Sequence, residues 1–240
     1  MALFRNIVFT AALAGLVAGL LMTLAQHMST VPLILQAETY EVAAAEAPAA
    51  TGAEHDATAH VHDEEAWAPE NGFQRTAFTL VANVITGVGF ALLLVAGYTL
   101  RGQTIGWRQG LMWGMAGFAV FMLAPSLGLP PELPGMPAAP LGPRQLWWVL
   151  TAASTAAGLA LLAFRRTPAL AVLAIVLLVT PHLIGAPQPA DATTLVPEGL
   201  HHRFVVAVTV TSFLFWAALG VLSALLFERL GRDRVPAPAH

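Results

Sequence analysis

The stretch TAFTLVANVITGVGFALLLVAGYTL, Thr76–Leu100, holds no charged residue and is bounded by Arg75 and Arg101. A run this apolar exceeds the ~20 residues that an α-helix needs to cross a ~30 Å hydrocarbon core. Inside lipid every backbone N–H and C=O must be paired within its own segment, so the run is a helix. Five further apolar blocks read the same way: Ile7–Gln26, Gly106–Leu127, Gln145–Phe164, Pro168–Gly185 and Arg203–Phe227. Across all 240 residues 57% are hydrophobic and 10% charged, and the mean hydropathy is +0.68. Soluble domains carry about 25% charged residues. The short alternating segments of a membrane β-barrel are missing. The sequence predicts an all-α integral membrane protein, residues 1–240 forming a single polytopic bundle of six transmembrane helices. Pro168–Gly185 is the shortest block, and the count is five if it is only half-buried. That block has a start signal, with Thr167 at the N-cap and Pro168 at the first helical position, where a missing N–H costs nothing.

Arginine placement tests the count independently. With the N-terminus inside, Arg5, Arg101, Arg108, Arg165, Arg166, Arg229, Arg232 and Arg234 are cytoplasmic, and Arg75, Arg144 and Arg203 are outside. This follows the positive-inside bias. Among the acids only Glu228 and Asp233 fall inside. The expectation is a multi-pass protein of the inner (plasma) membrane with both termini cytoplasmic, residues 229–240 forming the tail. The first apolar block is too long for a cleaved signal and reads as an anchor. Gly15 with Gly19, and Gly110 with Gly114, are small-xxx-small pairs of the kind that bring helices close.

Several classes of function are excluded. The chain has no cysteine, hence no disulfide, thiolate metal site or cysteine nucleophile. It has no lysine, and its net charge of −3 gives no footprint for nucleic acid. No nucleotide-cradling G-x-x-x-x-G-K-[ST] loop, H-E-x-x-H or G-x-S-x-G occurs, so no enzyme activity is expected.

The segments outside the membrane carry the chemistry. Residues 36–75 read as a flexible extracytoplasmic loop rich in Ala and Glu, containing Glu38, Glu41, Glu54, His55, Asp56, His60, His62 and Asp63. Imidazole and carboxylate together suit Co²⁺, Ni²⁺ and Zn²⁺. The same loop also reads as a solvated acidic connector. Residues 128–144 hold Pro130, Pro131, Pro134, Pro137, Pro140 and Pro143, a density that imposes a stiff extended path. That path suits a rigid connector and also a cap over an entry site.

Within the bundle, polar groups gather toward the outer face. His27 ends the first block, Asn83 lies about 12 Å into the second, His182 sits near the end of the fifth, and His201 and His202 precede the sixth. Pro125 and Pro181 deprive the carbonyls of Phe121 and Leu177 of their helical partners. Freed carbonyls beside histidines can replace water around a cation. The expected metal-handling residues are therefore His27, Glu38, His55, His60, His62, Asn83, His182 and His202. Met112, Met115 and Met122 share a helix face, where thioethers suit Cu(I) but also serve as apolar filler. A second class stays open, since His27 and His182 on separate helices could ligate one haem iron or flank a quinone. A scaffold without transport is a third.

Four stretches resemble the CbtA family of probable cobalt transporter subunits. They are VPLILQAETYE at Val31–Glu41, DEEAWAPENGFQRTAFTLVANVITGVGFALLL at Asp63–Leu94, LAPSLGLPPELPGMPAAPLGPRQLWW at Leu123–Trp148, and PHLIGAPQP at Pro181–Pro189. Together the likeness spans nearly the whole chain. The resemblance implies transport of Co²⁺ as cargo with no permanently bound cofactor. It further implies supply of cobalt for cobalamin synthesis, and a short single-span partner subunit with a histidine-rich end. Nickel poses nearly the same ligand problem. The family loop is often denser in histidine than this one, which implies weaker or auxiliary capture here. Family descriptions commonly count five spans, against six from the arginine pattern.

Overall fold

The computed structural model describes residues 1–46, 69–102, 105–165 and 167–232, and these are helical with no strand among them. Helix α1 (Ala2–Met28) runs into α2 (Thr30–Glu46) through a break at Ser29. Pro32 causes it, for its ring clashes with the carbonyl four residues back, that of Met28. The side chains of Ser29 and Thr30 cover the loose end, donating to the carbonyls of Ala25 (2.6 Å) and Gln26 (3.3 Å). Gln36–Glu46, read from sequence as the start of the flexible loop, is instead the body of α2. Alanine favours helix there, and Leu33 and Ala37 are buried against Leu133, Val196, Leu200 and Phe204.

Helix α3 (Phe73–Arg101) ends at Gly102, whose φ of +63° lets its N–H reach back to the carbonyls of Tyr98 and Thr99. Helix α4 (Trp107–Phe118) passes through a π-turn, Ala119–Leu123, into a last short turn, α5 (Ala124–Ser126). The π-turn shifts the register just ahead of Pro125, with the Ala124 N–H bonded to the Ala119 carbonyl. A widened turn is one way a helix accommodates a residue that cannot donate. The proline-rich chain then runs to Pro140 with a turn at Pro134–Gly135, closed by the Met136 N–H on the Leu133 carbonyl (3.1 Å), and α6 (Leu141–Phe164) takes Pro143 into its first turn, where N–H groups have no helical partner. Helix α7 (Pro168–Ile184) starts as expected at Pro168, although Thr167 makes no side-chain cap; its carbonyl accepts from Leu170 and Ala171 instead. Helix α8 (Glu198–Arg232) is the longest.

Among the described residues four helical stretches are long and apolar enough to cross a membrane: Leu3–Ala43, Phe73–Arg101, Leu141–Phe164 and Glu198–Gly231. Helix α7 is a shorter apolar helix. The run from Trp107 to Ser126 is interrupted by the π-turn.

Helix α1 is the hub, packed on α3 and on α8; α4 packs on the far side of α8, and α7 leans on α6. Both glycine pairs serve crossings. A Cβ on Gly15 would stand 2.5 Å from Val88 Cα, and one on Gly19 2.7 Å from Val84 Cα, so α1 and α3 touch at their backbones. Gly110 and Gly114 meet Gly220 on α8 in the same way, a Cβ on Gly220 standing 2.8 Å from Gly114 Cα. Beside that crossing Trp216 stacks on Phe121 with ring planes 3° apart and lies 4.6 Å from Phe90. Met115 and Met122 pack against this core while Met112 is 72% exposed, so the three thioethers do not share one site.

Candidate functional site

Past the Gly19 crossing, polar side chains of α1 and α3 face each other. Asn83 of α3 donates from its amide nitrogen to Thr23 Oγ1 (3.0 Å) and Gln26 Oε1 (2.7 Å) on α1. Thr23 in turn donates to the Gly19 carbonyl at 2.9 Å. Above this bridge opens a cleft of about 290 Å³, lined by Thr23, Gln26, His27 and Thr30 of α1–α2 and by Arg75, Thr76 and Thr79 of α3, with Val31, Ile34 and Leu35 as its apolar wall. Asn71 and Gly72 close its rim.

Glu38 and Arg75 meet at the top. The Arg75 guanidinium is ion-paired to Glu38 and bonded to Asn71 Oδ1 at 2.8 Å. Glu38, expected as a metal ligand, thus already holds a cation supplied by the chain. A divalent ion reaching this carboxylate must compete with the Arg75 charge already paired to it. Both partners are about one-third exposed or less, so water screens the pair only in part.

The other expected residues lie apart. His182 is half-buried at the end of α7, its ring 6.1 Å from and edge-on to Trp147, whose indole N–H donates to the Pro181 carbonyl at 3.3 Å. His202 is exposed at the start of α8. Its neighbour His201 is the engaged one, with Nε2 3.1 Å from the Pro131 carbonyl. That contact and the Glu132–Arg144 pair (2.8 Å) hold the proline-rich segment down over the ends of α2 and α8, where Leu133 is buried. Between this segment and α6 lies a cavity of about 560 Å³, bounded by Leu129–Glu132 and by Arg144, Gln145 and Trp148. Farther along, in the connection to α8, the Thr193 backbone N–H bonds to the exposed Asp191 carboxyl (2.9 Å) and holds it below the usual carboxylate range.

Of the expected residues His27 lines the cleft itself, Asn83 is bonded to its Thr23 and Gln26, and Glu38 is paired with its Arg75, while His182 and His202 lie elsewhere. His55, His60 and His62 lie outside the described residues. Among the described residues no three His, Cys, Asp or Glu side chains come within reach of one ion. The cleft therefore offers one imidazole, one engaged carboxylate and several neutral oxygens. Sequence reading missed Gln26, Thr23 and Arg75. Thr23 and Gln26 are signalled by their place on the same α1 turns as His27, whereas the Glu38–Arg75 pairing depends on tertiary contact alone.

No curated protein and no solved structure matches the chain. A family model does match, over residues 4–228, and its description is probable cobalt transporter subunit (CbtA). That span takes in all the helices except the first two residues of α1 and the last four of α8, and the chain belongs to the CbtA family of probable cobalt transporter subunits.

Proposed function

We propose that this chain is the membrane-embedded subunit of a cobalt uptake system that feeds cobalamin synthesis, and that Co²⁺ enters through the α1–α3 cleft. One observation carries the entry assignment: a cleft whose lining includes His27 beside Thr23 and Gln26, the two residues bridged to Asn83. In this reading the chain crosses the inner membrane six times with both termini cytoplasmic. The run from Trp107 to Ser126 is about 30 Å at 1.5 Å per residue, enough to cross despite its π-turn. Helix α7 is about 25 Å long, and a bilayer thins locally to meet such a helix at modest cost. His55, His60 and His62 gather ions on the outer side of the membrane, and the partner subunit, a short single-span chain with a histidine-rich end, delivers them. His182 and His202 flank the proline-rich cap as secondary contacts.

Haem ligation by His27 and His182 finds less support, because α7 packs on α6 and α1 packs on α2, α3 and α8. Initial uptake of radiolabelled cobalt by cells carrying native, His27→Ala or loop-histidine-free protein tests the proposal. His27→Ala is expected to raise the half-saturating cobalt concentration by about tenfold, the worth of one ligand at ~1.4 kcal/mol. Removing the three loop histidines is expected to slow uptake only at low cobalt. Unchanged uptake in His27→Ala would sink the cleft as the entry. Equal inhibition by nickel and cobalt would make the cargo a class rather than one metal.

A further inference from the structure

The cavity of about 560 Å³ between the proline-rich segment and α6 has no part in the entry of the cargo. Its volume falls in the range of about 300–1,000 Å³ in which proteins hold small molecules. One wall is a single face of α6. Leu141, Arg144, Gln145, Trp148 and Val149 line it at spacings of three and four, the stripe that one side of an α-helix presents. The facing wall is Leu129–Glu132. Three contacts hold the walls. Arg144 meets Glu132 at 2.8 Å, the Pro131 carbonyl lies 3.1 Å from His201 Nε2, and the Trp148 ring is 6.2 Å from that of Phe121 in the π-turn.

The depth of this wall in the membrane follows from the length of α6. Its 24 residues span about 36 Å at 1.5 Å per residue, against a hydrocarbon core of ~30 Å. Centred in the bilayer, α6 brings Arg144 and Gln145 to the boundary with the headgroups, and Trp148 and Val149 about 6 Å deeper. An indole suits that depth. Val149 is 54% exposed, and Ala153 one turn farther on is exposed too, so the apolar part of the wall continues down the outside of α6. A ligand seated here is polar at one end and continuous with the bilayer at the other, which describes a lipid.

The charges select the headgroup. Arg144 uses one of its five N–H donors on Glu132, and the rest of its fork suits phosphate oxygens. Glu132 is the only acid in the lining, and its carboxylate accepts from an ammonium. Phosphate and primary ammonium stand side by side in phosphatidylethanolamine, as Arg144 and Glu132 do here. A choline headgroup carries the same charges without an N–H donor, and a glycerol headgroup carries no cation. We propose that the cavity binds one aminophospholipid, with its phosphate on Arg144, its ammonium on Glu132 and an acyl chain along Trp148 and Val149. Its place in the outer leaflet rests on the orientation given above; the site itself does not. An ion pair that only staples the segment to α6 has the same geometry, and headgroup preference separates the two.

The test titrates the full-length protein, stripped of lipid in detergent micelles, with phosphatidylethanolamine, phosphatidylcholine or phosphatidylglycerol of matched chains, counting bound lipid by native mass spectrometry. One phosphatidylethanolamine per chain is expected, held about tenfold tighter than either other lipid, the weight of one hydrogen bond to a charged group. Glu132→Gln is expected to erase the preference over phosphatidylcholine. Arg144→Gln is expected to weaken all three lipids by about tenfold. Arg203→Gln, at an exposed arginine of α8 outside the lining, is expected to weaken none. Soluble phosphoethanolamine at the same concentrations is expected not to displace the lipid. Equal affinity for the ethanolamine and choline lipids, or a preference that survives Glu132→Gln, would overturn the assignment. So would equal losses in Arg203→Gln and Arg144→Gln, the mark of general attraction between arginine and phosphate. Displacement by phosphoethanolamine would make the cavity a site for a soluble ligand and overturn the lipid. If Arg144→Gln fails to fold, the preference measured in Glu132→Gln decides. No cobalt enters these titrations, so their failure is distinct from failure of the transport reading.

Discussion

Replacing Gly15 by alanine puts a methyl carbon 2.5 Å from Val88 Cα and 2.6 Å from the Gly87 carbonyl carbon. Non-bonded carbons settle at about 3.5–4.0 Å, so α1 and α3 must part by roughly 1 Å. The obstacles are backbone atoms, and no side-chain rotation relieves them. Overpacking of this kind costs about 1–3 kcal/mol, and alanine regains up to about 1 kcal/mol over glycine within a helix. The net expectation is a loss of about 1–2 kcal/mol. Gly89 supplies the control on α3, since a Cβ there meets nothing within 4 Å. Gly89→Ala therefore carries the propensity gain alone and should be neutral or more stable. The same 1 Å separation takes the Asn83–Gln26 bond from 2.7 Å to beyond about 3.5 Å, where it no longer counts as one. Gly15→Ala should then also raise the half-saturating cobalt concentration, and Gly89→Ala should not. Reversible unfolding in mixed micelles, followed by helical circular dichroism, checks stability, and labelled cobalt uptake checks the coupling. Equal stability of both variants and the native chain would refute the reasoning that this crossing is already at backbone contact.

Two further outcomes follow from single contacts. Arg75→Gln frees the Glu38 carboxylate from its resident cation and should tighten cobalt binding several-fold by calorimetry on purified protein. Because a partly exposed pair contributes only ~0–1 kcal/mol, the unfolding midpoint should barely move. Weaker binding in Arg75→Gln would mean that the arginine shapes the cleft rather than competes for it. Thr151 and Thr155 of α6 are buried with hydroxyls that have no hydrogen-bond partner among the described residues. Thr151→Val combined with Thr155→Val should stabilise the protein by roughly 1 kcal/mol per site, the cost of an unmet buried hydroxyl; destabilisation in the same unfolding assay would show that the hydroxyls are satisfied in the native membrane.

Helix placement was legible because the bilayer imposes it: an uncharged run like Thr76–Leu100 has one structure available to it in lipid. The Gly15–Gly19 and Gly110–Gly114 pairs were legible for a related reason, since only small residues permit backbone contact. Two other features were not. The helix over Gln36–Glu46 owes its place to Leu33 and Ala37 packing on residues about 100 or more positions away, and no local pattern encodes that burial. The π-turn arises from a choice of register ahead of Pro125, which a proline permits without dictating. For the site, residue type pointed to His27, Glu38 and Asn83; of these the fold sets His27 in the lining of the cleft and ties the other two to lining residues, Glu38 to Arg75 and Asn83 to Gln26 and Thr23. It failed for Arg75, because an arginine at a helix start reads as an orientation signal, whereas here its guanidinium closes over the cleft and occupies Glu38.

That occupation bears on how a divalent ion could pass at all. A carboxylate open inside the cleft would bind Co²⁺ strongly and release it slowly, and conduction needs binding weak enough to leave. The described part of the cleft keeps its one carboxylate at the rim under Arg75 and presents His27 with neutral oxygens beneath.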